Sequence, residues 1–88
     1  MKNIELRILT SPGCAHCHDF LEYWKMIASD WPNISAREIS LTTMEGQSLI
    51  KQYQIFASPG ILLDDELVSS GGVKKEKFLE KLRTLSAC

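Results

Sequence analysis

The feature that most constrains the fold is a change of hydrophobic period near the start of the chain. Over residues 4–10 apolar side chains alternate with the charged Glu5 and Arg7, and a period of two indicates a β-strand. A turn-forming segment, 11–13, follows it. Apolar residues then recur every three or four positions, which predicts an amphipathic helix over about 15–29. The chain therefore opens with a strand–turn–helix unit.

The remainder of the chain continues to alternate between strand and helix patterns. Its apolar spacing predicts a second strand, a short helix that Thr42 or Thr43 can cap, and a closing helix. Two short apolar runs around the turn residues Asp64 and Asp65 indicate a β-hairpin between those helices. The predicted bounds are 35–41 for the strand, 44–53 for the short helix, 61–63 and 67–68 for the hairpin, and 74–85 for the closing helix.

The resulting order, β-α-β-α-β-β-α, predicts an α/β fold. A helical crossover joins the first two strands, so they should be parallel with a right-handed connection, whereas the hairpin strands must be antiparallel. We expect three helices to cover both faces of a four-stranded mixed sheet. Reactive sites in such sheets lie beyond the carboxyl ends of parallel strands. The first strand ends at Thr10, four residues before Cys14.

The length and net charge of the protein disfavour several classes of function. The 88 residues leave room for one domain, 1–88, with a small hydrophobic core. Ten basic residues against eleven acidic ones leave no surplus to neutralise nucleic-acid phosphates. No apolar run approaches the roughly 20 residues of a membrane span. The sequence therefore disfavours nucleic acid and membrane as partners and predicts a monomer.

The cysteine count bears on the cellular compartment. Three cysteines, Cys14, Cys17 and Cys88, are too few for a disulfide scaffold. Glu5 and Arg7 interrupt the apolar residues at the N-terminus, so no signal-peptide hydrophobic region is recognised. These observations favour a cytoplasmic location, where a cysteine pair is more often catalytic or metal-binding than structural.

The segment Cys14-Ala15-His16-Cys17 lies at the junction of the first strand and helix. Its spacing places the two cysteines across one helical turn, with Cα atoms about 5–5.5 Å apart, which a disulfide tolerates. Cys14 is at the helix N-terminus, where free amides and the helix dipole stabilise a thiolate. The chemistry indicated is attack by Cys14 on a disulfide and resolution of the mixed disulfide by Cys17. This exchange needs no cofactor.

His16, between the cysteines, is interpreted as a tuner of Cys14. A partly protonated imidazole near the sulfur would favour the thiolate. Stabilising the reduced form makes a cysteine pair more oxidising. The alternative is a solvent-facing histidine without a role.

Metal binding is an alternative function for the same residues. Cys14, Cys17, His16 and His18 are clustered in sequence, and Cys88 could join them. A structural zinc site usually takes a second ligand pair from elsewhere in the chain, so no metal site within one chain is predicted. A metal ion or iron–sulfur cluster shared between two chains stays open. A non-catalytic adaptor domain is a further alternative.

Several features together carry a family resemblance. They are the Cys14–Cys17 pair after the first strand, Ser58-Pro59 before the third, the 61–68 hairpin followed by Gly71-Gly72, and the closing amphipathic helix. With them the chain resembles the thioredoxin and glutaredoxin superfamily from residue 4 to residue 85. Its length is similar to that of the compact, glutaredoxin-sized thioredoxin-like members.

The resemblance implies a thioredoxin fold and a thiol–disulfide oxidoreductase. It implies that Pro59 follows a cis peptide bond and faces the active-site disulfide, and that the backbone of Ser58 pairs with a bound substrate chain. Protein disulfides or a small disulfide would be the substrates, with a reductase or a low-molecular-weight thiol as electron donor. The cellular processes that the resemblance implies are electron transport and cell redox homeostasis.

One departure from the family pattern concerns the inner thiol. Typical thioredoxins carry a buried aspartate six residues before the first cysteine, where it serves proton transfer to the second one. This chain has Ile8 at that position. The inner thiol, Cys17, would therefore need another base, either a water molecule or His18.

Other departures concern glutathione and the C-terminus. Glutaredoxins often follow a Gly-Gly pair with an acidic residue that helps to hold glutathione. Here Gly71-Gly72 is followed by Val73 and Lys74, which disfavours glutathione binding. The terminal Cys88 is interpreted as a spectator thiol, because chain ends are seldom tied down.

Overall fold

A computed structural model describes residues 3–55, 57–71 and 74–86 of the chain. The expectations for Gly72, Val73 and Cys88 lie outside the described residues. The order of elements is the one predicted from the sequence. The elements are β1 (Ile4–Thr10), α1 (Ala15–Ile27), β2 (Ile34–Ser40), α2 (Met44–Tyr53), β3 (Gly60–Leu63), β4 (Glu66–Ser70) and α3 (Lys75–Ser86).

The four strands form one mixed sheet in the order β2-β1-β3-β4. Strands β1 and β2 pair in parallel, while β3 is antiparallel to both β1 and β4. The parallel pair and the antiparallel hairpin are therefore confirmed. The carboxyl end of β1, at Thr10, lies next to Ser40 of β2 and close to the start of β3, where Gly60 pairs with Leu9. The loops at this edge thus come together.

Strand β1 and helix α2 have the predicted bounds, and the bounds of the other elements differ from the prediction by one or two residues. The α-helical part of α1 ends at Ile27, and Ala28–Asp30 form a 3₁₀ turn, because the chain tightens before Pro32 to enter β2. Strand β2 begins and ends one residue earlier than predicted. The Ser40 carbonyl accepts hydrogen bonds from the Thr43 amide (3.1 Å) and hydroxyl (2.7 Å), which turns the chain toward α2 before Leu41 can extend the strand.

Apolar clusters cover both faces of the sheet, as expected. Because side chains alternate along a strand, Leu6 and Ile8 face one side while Leu9 faces the other. The first cluster joins the sheet to α1 and α3 and comprises Ile4, Leu6, Ile8, Phe20, Trp24, Ile61, Leu63, Phe78 and Leu82. The second joins the opposite face to the segment that contains α2 and comprises Leu9, Ile39, Leu49, Ile55 and Leu62. The first cluster fixes α1, and with it the cysteine pair, against the sheet.

The first helix contributes aromatic side chains to that first cluster. Trp24 is buried, and Trp31, just beyond the helix, is partly buried against the same residues. Both tryptophans therefore serve core packing. None of the described helices is both long and apolar enough to cross a membrane.

The start of α2 packs tightly on the end of β2. Thr43 is the N-cap, and its hydroxyl accepts a hydrogen bond of 3.0 Å from the Gly46 amide. Gly46 is buried, and a Cβ at this position would meet the carbonyl oxygen of Ser40 and lie 2.8 Å from the Cα of Leu41. The glycine weakens the helix in isolation, but here it allows the two backbones to approach.

This contact predicts the direction in which replacing Gly46 changes the stability of the protein. Alanine normally favours a helix over glycine by about 1 kcal/mol, yet we expect Gly46→Ala to lower the free energy of unfolding by about 1–3 kcal/mol, as overpacking does. Chemical denaturation monitored by circular dichroism measures the difference. The matched control is Ser48→Ala, at an exposed position of the same helix, which should change stability by no more than about 0.5 kcal/mol. A Gly46→Ala protein at least as stable as the parent would contradict the packing.

Candidate active site

The cysteine pair lies at the junction between β1 and α1. Gly13 has φ +72°, a left-handed conformation that glycine adopts readily, and it reverses the chain at the end of the 11–13 turn. Cys14 follows in an extended conformation as the N-cap of α1, and its sulfur accepts a hydrogen bond of 3.1 Å from the Cys17 amide. The sequence thus sets the first sulfur at the positive end of a helix.

A disulfide joins Cys14 and Cys17, with Cα atoms 5.2 Å apart, inside the range expected from their spacing. The two residues differ in exposure. Cys14 is partly exposed, whereas Cys17 is only 3% exposed and belongs to the buried face of α1. A molecule approaching from solvent therefore reaches the first sulfur and not the second.

The loop before β3 brings Ser58 and Pro59 to this disulfide. The Ser58–Pro59 peptide bond is cis, as the family resemblance implies, and Pro59 is buried. The Ser58 hydroxyl donates a hydrogen bond of 3.4 Å to the sulfur of Cys14. The Gly71 amide donates to the Pro59 carbonyl at 3.0 Å and ties the loop to the end of β4. Sequence reasoning chose Ser58 for its backbone and missed the contact of its side chain.

Sequence reasoning also missed Ser11. Its hydroxyl lies 2.8 Å from the hydroxyl of Ser58, and both side chains are partly buried. Ser11 is in the turn after β1 and Ser58 is 47 positions later, so the pair forms only because β1 and β3 are neighbours in the sheet. A serine in a Ser-Pro-Gly turn carries no sequence signal beyond the turn itself.

A groove of about 460 Å³ runs beside the disulfide on the β2 side. The residues that line this groove include Thr10, Cys17, His18 and Glu38. The Thr10 hydroxyl donates a hydrogen bond of 3.0 Å to the Glu38 carboxylate. Glu38 is opposite Ile8 in the parallel ladder, so the two side chains share a sheet face. The position that holds the family's buried aspartate is thus the buried Ile8, while an unpredicted carboxylate lies on the next strand.

The two histidines occupy different sides of α1. His18 is exposed and lines the groove beside Cys17. His16 is also exposed and, together with Asp19, Phe20 and Lys75, lines a separate cavity of about 150 Å³. Its effect on Cys14 stays a prediction. Within residues 3–55, 57–71 and 74–86, no three or more histidine, cysteine, aspartate or glutamate residues are grouped so that they could hold a metal ion.

Comparison with known proteins matches this arrangement over most of the chain. A family model described as "Thioredoxin domain" matches residues 3–84. A thioredoxin of Methanocaldococcus jannaschii is 25% identical over 83 residues, which cover 94% of this chain and 96% of that protein.

Solved structures extend the likeness to the fold. Thioredoxin O2 from Arabidopsis thaliana in its oxidized state gives a TM-score of 0.75 at 11% identity, covering 96% of this chain and 76% of that chain. A chain from a complex of ferredoxin:thioredoxin reductase and thioredoxin f2 gives a TM-score of 0.73 at 17% identity, covering 97% and 79%. At these identities the structures support the four-stranded mixed sheet with three helices and nothing finer.

Proposed function

Because the chain belongs to the thioredoxin domain family and carries a cysteine pair at disulfide distance, it is a thiol–disulfide oxidoreductase, and we propose that Cys14 is its nucleophile and Cys17 its resolving thiol. The observation that carries this assignment is the difference in exposure between the two sulfurs. Cys14 is partly exposed at a helix N-terminus, and Cys17 is 3% exposed. The thiolate is the reactive form, and a helix N-terminus stabilises it.

The proposed exchange has two steps. The Cys14 thiolate attacks one sulfur of the substrate disulfide, a mixed disulfide forms, and the other substrate sulfur leaves with the electron pair as a thiolate. Cys17 then loses its proton and attacks the sulfur of Cys14. The Cys14–Cys17 disulfide forms, the second substrate sulfur leaves, and the substrate has gained two electrons. A donor dithiol reverses these steps to reduce the pair again.

The substrate side of the site is proposed to be the loop that holds Ser58 and Pro59. A disulfide that reacts with Cys14 would lie beside this loop, since the Ser58 side chain is in contact with the sulfur. The backbone of Ser58 would pair with the substrate chain, and Pro59 would set its position. His16 is proposed to favour the Cys14 thiolate from its place between the two cysteines.

Proteins are the partners of this family, and we propose protein disulfides as the substrates here. The electron donor is proposed to be a reductase or a low-molecular-weight thiol. A structural neighbour comes from a complex with ferredoxin:thioredoxin reductase, which supports a reductase as the kind of protein that can meet such a fold. We also propose a single domain over residues 1–88, a cytoplasmic location, and a part in electron transport and cell redox homeostasis. The ordinary charge balance and the single cysteine pair support these assignments.

A redox titration tests the proposed function. The protein is equilibrated in graded thiol/disulfide buffers, and the free thiols at Cys14 and Cys17 are counted by mass after alkylation. Thioredoxin-like couples lie near about −270 mV and strongly oxidising ones near about −120 mV. Hydrogen bonds to the Cys14 sulfur stabilise its reduced form, so we expect the reduction potential of the pair to be less negative than about −270 mV. A pair that forms no disulfide anywhere in the series would overturn the assignment.

The proton of Cys17 needs an acceptor in the second step, and we propose Glu38. A buried thiol ionises poorly by itself, and the groove that Cys17 lines offers a carboxylate held by the Thr10 hydroxyl. We expect Glu38→Gln to slow the resolution step about tenfold at pH 7, which is less than the roughly 10²–10⁴-fold typical of general base catalysis because the groove is open to water. The difference in rate between the Glu38→Gln variant and the parent should shrink at alkaline pH, where Cys17 ionises without a base.

Ellman's reagent at one equivalent measures this step in a Cys88→Ser background, which removes the third thiol. The second thionitrobenzoate is then released when Cys17 attacks the mixed disulfide on Cys14. His18→Asn is the comparison, since His18 lines the same groove and is the sequence-based choice of base. A larger loss with His18→Asn than with Glu38→Gln would assign the proton to the histidine. Equal rates in both variants and the parent would leave water as the acceptor.

A further inference from the structure

Two serine hydroxyls form a series of hydrogen bonds that ends on the reactive sulfur of Cys14. The Ser58 hydroxyl is 3.4 Å from the Cys14 sulfur, and the Ser11 hydroxyl is 2.8 Å from that of Ser58. All three side chains are partly buried. These hydrogen bonds join the turn after β1 to the loop before β3.

The direction of these hydrogen bonds follows from counting protons. A hydroxyl has one proton to donate and two lone pairs to accept with. If Ser58 donates its proton to the Cys14 sulfur, it has none left for Ser11. Ser11 must then be the donor to Ser58. A hydroxyl that accepts a hydrogen bond becomes a stronger donor itself, because the two bonds polarise each other.

This polarity matters when Cys14 is reduced. A thiolate accepts hydrogen bonds more strongly than a thiol does, and donors aimed at the sulfur therefore favour the ionised form. The Cys17 amide, 3.1 Å from the Cys14 sulfur, is one donor and belongs to the helix. The serine chain supplies a second donor from a different part of the fold.

We propose that Ser11 and Ser58 form a hydroxyl relay that stabilises the Cys14 thiolate and so sets the rate at which it attacks disulfides. The proposal rests on the assignment of Cys14 as nucleophile. Ser58 touches the reacting atom, whereas Ser11 acts through Ser58 and is a positioning residue. In the attack, the Cys14 sulfur forms the new S–S bond, the substrate S–S bond breaks, and the leaving sulfur takes the electron pair. The serine protons stay on their oxygens.

The experiment measures the apparent pKa of Cys14 in the reduced, full-length chain from the pH dependence of its alkylation by iodoacetamide. Peptide mass analysis reports Cys14 separately from Cys17 and Cys88. A hydrogen bond to a charged group is worth about 1.5–3 kcal/mol, and a pKa unit corresponds to about 1.4 kcal/mol. We therefore expect Ser58→Ala to raise the pKa of Cys14 by about one unit, and Ser11→Ala by about half a unit.

The double variant distinguishes a relay from two separate effects. If Ser11 acts through Ser58, its substitution should add almost nothing once Ser58 is alanine, so the double variant should match Ser58→Ala. Ser58→Thr keeps a hydroxyl and should restore much of the effect. Ser48→Ala, on the exposed side of α2, is the control for losing any serine. The ionisable groups that line the groove beside Cys14 in the reduced protein are Cys17, His18, Asp19 and Glu38, and all four are unchanged in these variants.

Two results would overturn the relay. One is a Ser11→Ala protein with the pKa of the parent, and the other is a Ser11 effect that persists undiminished in the Ser58→Ala background. Either can occur in a protein whose disulfide exchange with insulin is normal. Failure of the proposed function looks different, because the parent itself would then exchange no disulfides. The reduction potential provides a second readout, since loss of the relay should move it to more negative values.

Discussion

Replacing Cys14 with serine is expected to abolish disulfide exchange, whereas replacing Cys17 with serine should trap the substrate on the protein. The first variant lacks the nucleophile, and a loss of at least about 10³-fold in the rate of insulin reduction is expected. The second keeps the partly exposed sulfur that attacks but lacks the buried one that resolves. Its product is a stable mixed disulfide between Cys14 and one substrate cysteine.

Non-reducing mass analysis after mixing with a disulfide substrate separates these outcomes. The Cys17→Ser protein should gain the mass of one substrate thiol, and the Cys14→Ser protein should gain none at this pair. Cys88→Ser is the matched control, because the sequence marks Cys88 as a spectator. A stable adduct on Cys17 in the Cys14→Ser protein would reverse the assigned roles. Full exchange activity in the Cys14→Ser protein would place the reaction elsewhere.

The trapped species also offers a way to find the partner. In an adduct formed by the Cys17→Ser protein, the substrate would lie beside the proposed substrate loop, because the Ser58 side chain contacts the sulfur to which the substrate is bound. The proteins recovered from such adducts would be candidate substrates. Their identity bears on the direction of electron flow, which the redox titration addresses independently.

The cysteine pair and most elements of the fold could be predicted from the sequence, because their signals are local. The alternation over residues 4–10 gave β1, Ile4–Thr10, and the three-to-four spacing over 44–53 gave α2, Met44–Tyr53. The 3₁₀ turn after α1 was missed because the apolar spacing continues through it as far as Trp31. The cis bond before Pro59 came from the family resemblance, since the dipeptide alone also fits an ordinary turn.

The rest of the site depends on contacts between distant parts of the chain. Ser11 and Ser58 are 47 positions apart, and Thr10 and Glu38 are 28 positions apart. A local pattern says nothing about such pairs, because only the strand order β2-β1-β3 brings their loops and faces together. The family pattern does not predict Glu38 either, since it places a carboxylate at the position of Ile8, whereas this carboxylate lies on the adjacent strand.

The site also depends on how firmly α1 is held to the sheet, and Phe78 of α3 is central to that contact. Phe78 is 1% exposed. Its ring is edge-to-face with that of Phe20 at a centroid distance of 5.0 Å and an interplanar angle of 86°, and with that of Trp24 at 6.3 Å and 84°. Such edge-to-face pairs add to the free energy of burying the rings. One side chain thus links α3 to the helix that carries both cysteines.

Phe78→Ala is therefore expected to lower the free energy of unfolding by about 3–5 kcal/mol, the cost of the lost ring and the cavity it leaves. Small domains have about 0.05–0.15 kcal/mol of stability per residue, so this loss removes a large part of the total for 88 residues. Guanidinium denaturation of the oxidised protein, followed by tryptophan fluorescence, measures it. Keeping the disulfide intact in every sample separates the effect of the ring from that of the cross-link.

Two companion variants make the measurement decisive. Lys77→Ala removes an exposed neighbour on α3 and should change stability by no more than about 0.5 kcal/mol. Phe78→Leu keeps most of the apolar volume and should cost less than the alanine variant, so it gives a value if Phe78→Ala does not fold. A cost below about 1 kcal/mol for Phe78→Ala would mean that α3 does not hold α1 in solution. The placement of Cys14 and Cys17 would then have to depend on the β1–α1 turn and the disulfide alone.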